Sequence, residues 1–120
     1  MKVVFTTSGD TLDSPLDDRF GRAPKFLVYD LDGETFEVVD NAQNLNAPQG
    51  AGVQAAEAVA RTGAGAVVTG NCGPKAFRVL SASGIKIYTS PGGTVSQALE
   101  EFKAGRLKPA DSANVPGHWA

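Results

Sequence analysis

Residues 64–84 read AGAVVTGNCGPKAFRVLSASG, and residues 85–105 read IKIYTSPGGTVSQALEEFKAG. Each stretch runs from a short apolar segment through a glycine turn into a helical pattern, and each ends on glycine. With Gly63 before them, the stop glycines 63, 84 and 105 are 21 residues apart. This spacing describes two successive strand–turn–helix units. The strands are expected at 66–69 and 86–88, and the helices at 74–83 and 94–104. Pro74 suits a first helical turn, because its missing N–H would be unpaired there anyway. Thr94 and Gln97 form a capping-box pattern. Val95, Ala98, Leu99 and Phe102 make an apolar stripe at helical spacing.

On the N-terminal side, residues 2–6 (KVVFT) form a continuous apolar run and read as a buried strand. Residues 25–31 (KFLVYDL) and 34–40 (ETFEVVD) read as strands joined by Asp32-Gly33, a two-residue hairpin signal. An alanine-rich helix is expected over 49–62, with Gly63 ending it. Two polar segments, 7–24 and 41–52, join these elements. The first is longer than the connections a compact domain usually carries, and such loops tend to be functional. Residues 109–120 read as a loosely held tail on a domain spanning 1–108.

The order β-β-β-α-β-α-β-α predicts a single α/β domain with a mixed five-stranded sheet flanked by helices. Right-handed crossovers limit the arrangements. The simplest puts the first strand in the centre, the hairpin on one side and the last two strands on the other. Chain order then reverses between the first and fourth strands, and ligands of open α/β sheets bind beyond the carboxyl ends of the strands at such a point. The loop from Thr7 and the turn TGNCGP (69–74) both emerge there.

Bulk properties narrow the function. The 120-residue chain is 42% hydrophobic, enough for a real core. A net charge of −2 argues against a general nucleic-acid binder. A single cysteine allows no internal disulfide. No apolar run approaches the length of a membrane span, and the N-terminus lacks a signal-peptide pattern, so a cytoplasmic location is expected.

The lone cysteine, Cys72, lies just before a helix. Free N–H groups and the helix dipole at such a place lower a thiol's pKa. Gly70, Asn71 and Gly73 expose backbone around it, and SPGGT (90–94) repeats the arrangement with Gly92, Gly93 and Thr94. Glycine turns at helix N-termini receive anions. Lys75 adds a cation in the first helical turn. In DRFGRAPKF (18–26), Arg19, Arg22 and Lys25 surround Gly21, with Phe20 as a possible anchor; Arg19 and Arg22 are placed to clamp an anion. Asp10, Asp13, Asp17 and Asp18 lack a recognisable cation-ligand spacing. Cys72 and Arg78 stand at the C-x5-R spacing of cysteine phosphatases, but Pro74 removes a cradle N–H, Val79 replaces the usual hydroxyl, and no histidine precedes Cys72. GAGVQA (50–55) partly matches a dinucleotide fingerprint without the strand that should precede it. Three functions stay open: an anion-cluster carrier, a cysteine phosphatase-like or other anion-transfer enzyme, and a regulatory module binding a phosphorylated ligand.

Taken in order, FGRAPKF, the GAG-containing helix, AVVTGNCGPKAFRVL, GIKIY and GGTVSQALEEFKAGRL resemble the dinitrogenase iron–molybdenum cofactor biosynthesis family over residues 1–108. The resemblance implies a ribonuclease-H-like fold. It implies non-catalytic binding or carriage of a metal–sulfur cluster, either an iron–molybdenum cofactor precursor or the molybdenum–copper sulfide cluster of the orange-protein branch. Cluster-assembly proteins or a P-loop ATPase are the implied partners. The family's FGRAP segment falls on Phe20–Pro24, its G-x-x-G-x-x-A turn on Gly70, Gly73 and Ala76, and its GGTV turn on Gly92–Val95. Many members carry a histidine before the alanine-rich helix, where this chain has Gln49. That departure shifts the weight to Arg19, Arg22, Lys75 and the two helix N-termini, with Cys72 as the soft-metal contact.

Overall fold

Alternation along the strands decides which side of the sheet each residue covers. The computed structural model describes residues 1–41 and 51–110. Its strands are β1 (Lys2–Thr7), β2 (Lys25–Asp30), β3 (Thr35–Asp40), β4 (Ala66–Thr69) and β5 (Lys86–Thr89). Its helices are α1 (Ala51–Arg61), α2 (Pro74–Ala82) and α3 (Val95–Lys103). The sheet order is β3-β2-β1-β4-β5, with β1 central as expected. β1 pairs antiparallel with β2 and parallel with β4, and β4 pairs parallel with β5.

Both faces of the sheet are covered, which is why β1 and β4 are apolar without a break. On one face Val4, Phe26, Val28, Val67 and Ile87 pack with Ala55, Ala56 and Val59 of α1 and with Ala76 and Leu80 of α2. The small alanines let these helices lie close to the strands. On the other face Val3, Phe5, Leu27, Tyr29, Ala66 and Val68 pack with Val95, Ala98 and Leu99 of α3. Gly63, Gly84 and Gly105 all adopt positive φ, as helix-stopping glycines do. No helix of the described residues is long and apolar enough to cross a membrane.

Where β1 and β4 end, their last threonines meet. Thr6 Oγ1 donates to the Asp17 carbonyl at 2.7 Å and lies 2.8 Å from Thr69 Oγ1. Thr6 is the donor in both contacts, so its single hydroxyl hydrogen is shared between the Asp17 carbonyl and Thr69 Oγ1. The long polar segment after β1 is thereby held to the sheet. Thr7 and Leu16 form a bridge, and the Asp17 N–H donates to the Thr6 carbonyl at 2.7 Å. The segment is an ordered strap across the ends of the parallel strands.

Several boundaries differ from the sequence reading. The hairpin loop has four residues, 31–34, because Asp30 pairs with Thr35. The Asp30 carboxylate accepts from the Asp32 and Gly33 N–H groups, which closes a wider turn than Asp32-Gly33 alone would make. Glu34 takes the positive φ, at 54°. The start of the alanine-rich helix, Gln49 included, lies outside the described residues. So do residues 111–120 with His118 and Trp119. The first two tail residues are not loose: Pro109 bridges Tyr88, and the Ala110 N–H donates to the Ile87 carbonyl at 2.7 Å.

Cys72 belongs to the core. It is 1% exposed among the residues that pack under α1 and α2. Its Sγ approaches the Gly73 carbonyl at 3.7 Å. Burial pushes the thiol from 9.0 up to about 12. The expectation of a lowered pKa is therefore overturned: desolvation of the thiolate outweighs the helix dipole.

Two outcomes follow. The folded thiol holds its proton to higher pH than the unfolded one. Its contribution to stability is thus complete below pH 9 and drains as pH rises toward 12, by at most about 1.4 kcal/mol per pH unit. Urea unfolding between neutral and alkaline pH should show this extra slope in the wild type and not in Cys72→Ala, and native protein should resist thiol alkylation. Thr6→Val keeps the side-chain shape but strips a partner from the Asp17 carbonyl and the Thr69 hydroxyl. It should cost about 1–3 kcal/mol in the same unfolding assay.

Candidate functional site

Three segments meet at the carboxyl ends of β1, β4 and β5: the strap (8–24), the turn after β4 (70–73) and the turn after β5 (90–94). The residues expected to bind an anion lie on them or on the first turn of α2, while Lys25 lies on β2 and Arg78 further along α2. Their roles divide sharply once the hydrogen bonds are traced.

The two helix N-termini are not equivalent. They sit at the same edge of the sheet but on opposite faces, since α2 packs with α1 and α3 packs on the far side. At α3 the first donors are all used. The Thr94 N–H donates to Gln97 Oε1 at 2.9 Å, and the Gln97 N–H donates to Thr94 Oγ1 at 3.1 Å, completing the expected capping box. The Val95 N–H donates to the Ser14 carbonyl at 2.9 Å and the Ser96 N–H to the Leu12 carbonyl at 2.7 Å. The strap has supplied from its own backbone what an anion would have supplied. Gly93 takes part in the same seam: its carbonyl accepts from the Leu16 N–H at 2.9 Å. Gly92 and Gly93, at φ 125° and 88°, shape the turn that reaches it.

At α2 the picture is reversed. Gly73 is the N-cap and has no side chain to offer, and among the described residues no side-chain cap bond is made. Pro74 brings no N–H. The first helical bond runs from the Phe77 N–H to the Gly73 carbonyl at 3.0 Å. The amides of Lys75 and Ala76 therefore sit at a dipole-bearing terminus that no described side chain caps. The Lys75 side chain is exposed beside it.

The strap reaches this turn as well. The Phe20 N–H donates to the Asn71 carbonyl at 3.1 Å, and Asn71 Nδ2 donates to the Asp18 carbonyl at 2.8 Å. Between these bonds the Asp18 backbone passes over Gly70, where an added Cβ would sit 2.6 Å from Asp18 Cα. Arg19 projects from this clasp with half its side chain exposed; its Nε lies 3.9 Å from Asp17 Oδ1, a weak pairing. Arg22 is partly buried and Gly21 buried. Phe20 is fully buried and stacks on Phe26 with ring centroids 5.7 Å apart, so it anchors the strap. Lys25 is engaged with Asp10.

Cys72 and Arg78 are not presented together. The thiol is buried with its pKa raised, while Arg78 is exposed on α2. A nucleophilic cysteine needs the opposite: access and a lowered pKa. Among the described residues, no three His, Cys, Asp or Glu side chains converge as a metal-ligand set. The sequence reading missed Thr6, Thr69 and Asn41. The first two were signalled by a threonine ending each of two apolar strands. Asn41, 1% exposed, donates from Nδ2 to the Ala23 carbonyl at 2.8 Å and its N–H donates to the Pro24 carbonyl at 2.8 Å, so it secures the far end of the strap.

The same fold recurs in solved structures. The apo form of the orange protein from Desulfovibrio gigas superposes with a TM-score of 0.93 at 40% identity, covering 95% of this chain and 96% of that one. A Thermotoga protein of the DUF35 family, solved by NMR, gives 0.84 at 33% identity, covering 97% and 98%. A Methanocaldococcus jannaschii relative, MJ0580, is 28% identical over 111 residues, 90% of each chain. The sequence profile of the dinitrogenase iron-molybdenum cofactor family matches residues 1–105. A match over that length, together with the shared fold, establishes that the chain belongs to the dinitrogenase iron-molybdenum cofactor family.

Proposed function

We propose that this protein binds and carries a preassembled anionic metal–sulfur cluster, of molybdenum with copper or iron, without performing chemistry on it. The observation that carries the reading is the difference between the two helix N-termini. The strap caps α3 completely, while α2 has a terminus uncapped among the described residues, with Lys75 on it and the Arg19 segment clasped to its turn. Family membership and the likeness to the orange protein support a cluster as the anion.

In this reading the cluster is cargo, held by charge and backbone N–H groups. The amides of Lys75 and Ala76 face its sulfides. Lys75, Arg19 and Arg22 supply positive potential against an overall charge of −2. Gly73 and Gly70 contribute by leaving room. Cys72 supports the turn from the core side, and in this reading retention does not depend on its buried thiol. The turn at Gly92, Gly93 and Thr94 anchors the strap that carries the arginines. Partners are then proteins that build or receive the cluster, such as cluster-assembly enzymes or a P-loop ATPase.

The test is direct. Tetrathiomolybdate and copper(I) are added to the purified protein, which is then desalted, and the visible spectrum is recorded. A charge-transfer band eluting with the protein is expected, and its loss on desalting would overturn the reading. Arg19→Ala and Lys75→Ala should each weaken retention by roughly three- to tenfold, and raised salt should weaken it further, as charge-assisted contacts at a surface require. Cys72→Ala should retain the cluster. A generic aryl phosphate should not be hydrolysed; hydrolysis abolished by Cys72→Ala would favour the phosphatase-like enzyme instead. Displacement of the cluster by millimolar inorganic phosphate would favour a module for phosphorylated ligands.

A further inference from the structure

We infer that Gly70 is a positioning residue for the cluster site: its missing side chain sets how closely the arginine-bearing strap approaches the N-terminal end of α2. The inference rests on the cluster-carrier reading and names what holds that site to its width.

At Gly70 an added side chain would meet mostly backbone, whereas at Gly9 it would meet the Ser14 side chain first, at 2.1 Å. An added Cβ at Gly70 would lie 2.6 Å from Asp18 Cα, 2.7 Å from Asp18 Cβ and 3.0 Å from the Asp18 carbonyl oxygen. Two of these three atoms are backbone, so no rotamer change relieves the contact. At Gly93 the crowding atoms belong to the flexible Gln97 side chain, and at Gly63, Gly84, Gly92 and Gly105 nothing lies within 4 Å. Gly70 is also outside the set of positive-φ glycines, so alanine is tolerated by its backbone. The constraint is one of space, and the three atoms nearest an added Cβ all belong to Asp18 of the strap.

That segment is held in place by bonds on both sides of Gly70. The Thr6 hydroxyl and the Thr6 carbonyl fix Asp17, and Asn71 bonds the Asp18 carbonyl and the Phe20 N–H. Arg19 lies between the last two. A side chain at position 70 must therefore lift Asp18 and break the Asn71 bonds, which carries Arg19 away from Lys75 and Ala76. The core beneath need not change, because Thr69 and the strand before it stay paired to β1 and β5.

Gly70→Ala, Asn71→Ala and the double variant test this with three readings on each protein: amide chemical shifts without ligand, urea unfolding, and retention of tetrathiomolybdate with copper(I). In Gly70→Ala the amides of Asp18, Arg19 and Phe20 should move while those of Val67 and Val68 stay. Retention should fall roughly 10- to 100-fold, the range for residues that support a bound metal group, with the protein still folded. The double variant should retain no less than Gly70→Ala, because both changes undo the same clasp. Unmoved strap amides would overturn the inference. So would moved amides with full retention, or a loss of retention that only tracks unfolding. Failure of the wild type to retain the cluster would overturn the carrier reading itself, and the amide shifts of the cluster-free variants would still show whether Gly70 holds the strap.

Discussion

The hydrogen bond between Thr6 and Thr69 joins two neighbouring parallel strands at the ends from which the chain departs in different directions. After Thr6 and Thr7 the backbone turns into the strap and returns as antiparallel β2. After Thr69 it turns into α2 and returns as parallel β5. Whatever binds in the gap between them is bounded by these two departures. The same Thr6 hydroxyl holds the Asp17 carbonyl, so one buried group aligns the strand ends and seats the strap. Everything that gives the site its shape follows from that seat: Asp18 over Gly70, Phe20 in the core, and Leu12 and Ser14 over the start of α3.

The strap has a double effect on the two helix dipoles. Its carbonyls neutralise α3, and its positive side chain is delivered to α2. An isolated strand–turn–helix unit would present an anion site in both places, since the physics of an uncapped terminus is local. The packed molecule concentrates that capacity in one. Cys72 takes part by being buried: a thiol held at about 12 is an apolar filler at neutral pH, and it adds no negative charge of its own to the turn above it.

This also explains what was legible in the sequence. The strand order followed from the hairpin, the two glycine-stopped units and the handedness of crossovers, all of which are encoded locally. The capping box at Thr94 and Gln97, Pro74 at the first turn of α2 and the stop glycines were local for the same reason. The equivalence of the two N-termini was the error of a local reading. Nothing in SPGGT shows that Leu12 and Ser14, some eighty residues earlier, bond Val95 and Ser96. Cys72 misled in the same way, because its sequence neighbours are polar and its spatial neighbours are the apolar faces of α1 and α2. Phe20 read as an anchor within a binding segment, and its burial against Phe26 fits the anchor. In the hairpin the Asp30 carboxylate overrode the Asp32-Gly33 signal by bonding both N–H groups of the turn.

The central claim is that one helix terminus, and not the other, receives the anionic cargo. Amide chemical-shift mapping on 15N-labelled protein, titrated with tetrathiomolybdate and copper(I), tests it most directly. The account predicts that the Lys75 and Ala76 amides move most, followed by those of Arg19 and Asn71, with Val95, Ser96 and Gln97 nearly still. Large shifts at Val95 and Ser96 with Lys75 and Ala76 unmoved would contradict it.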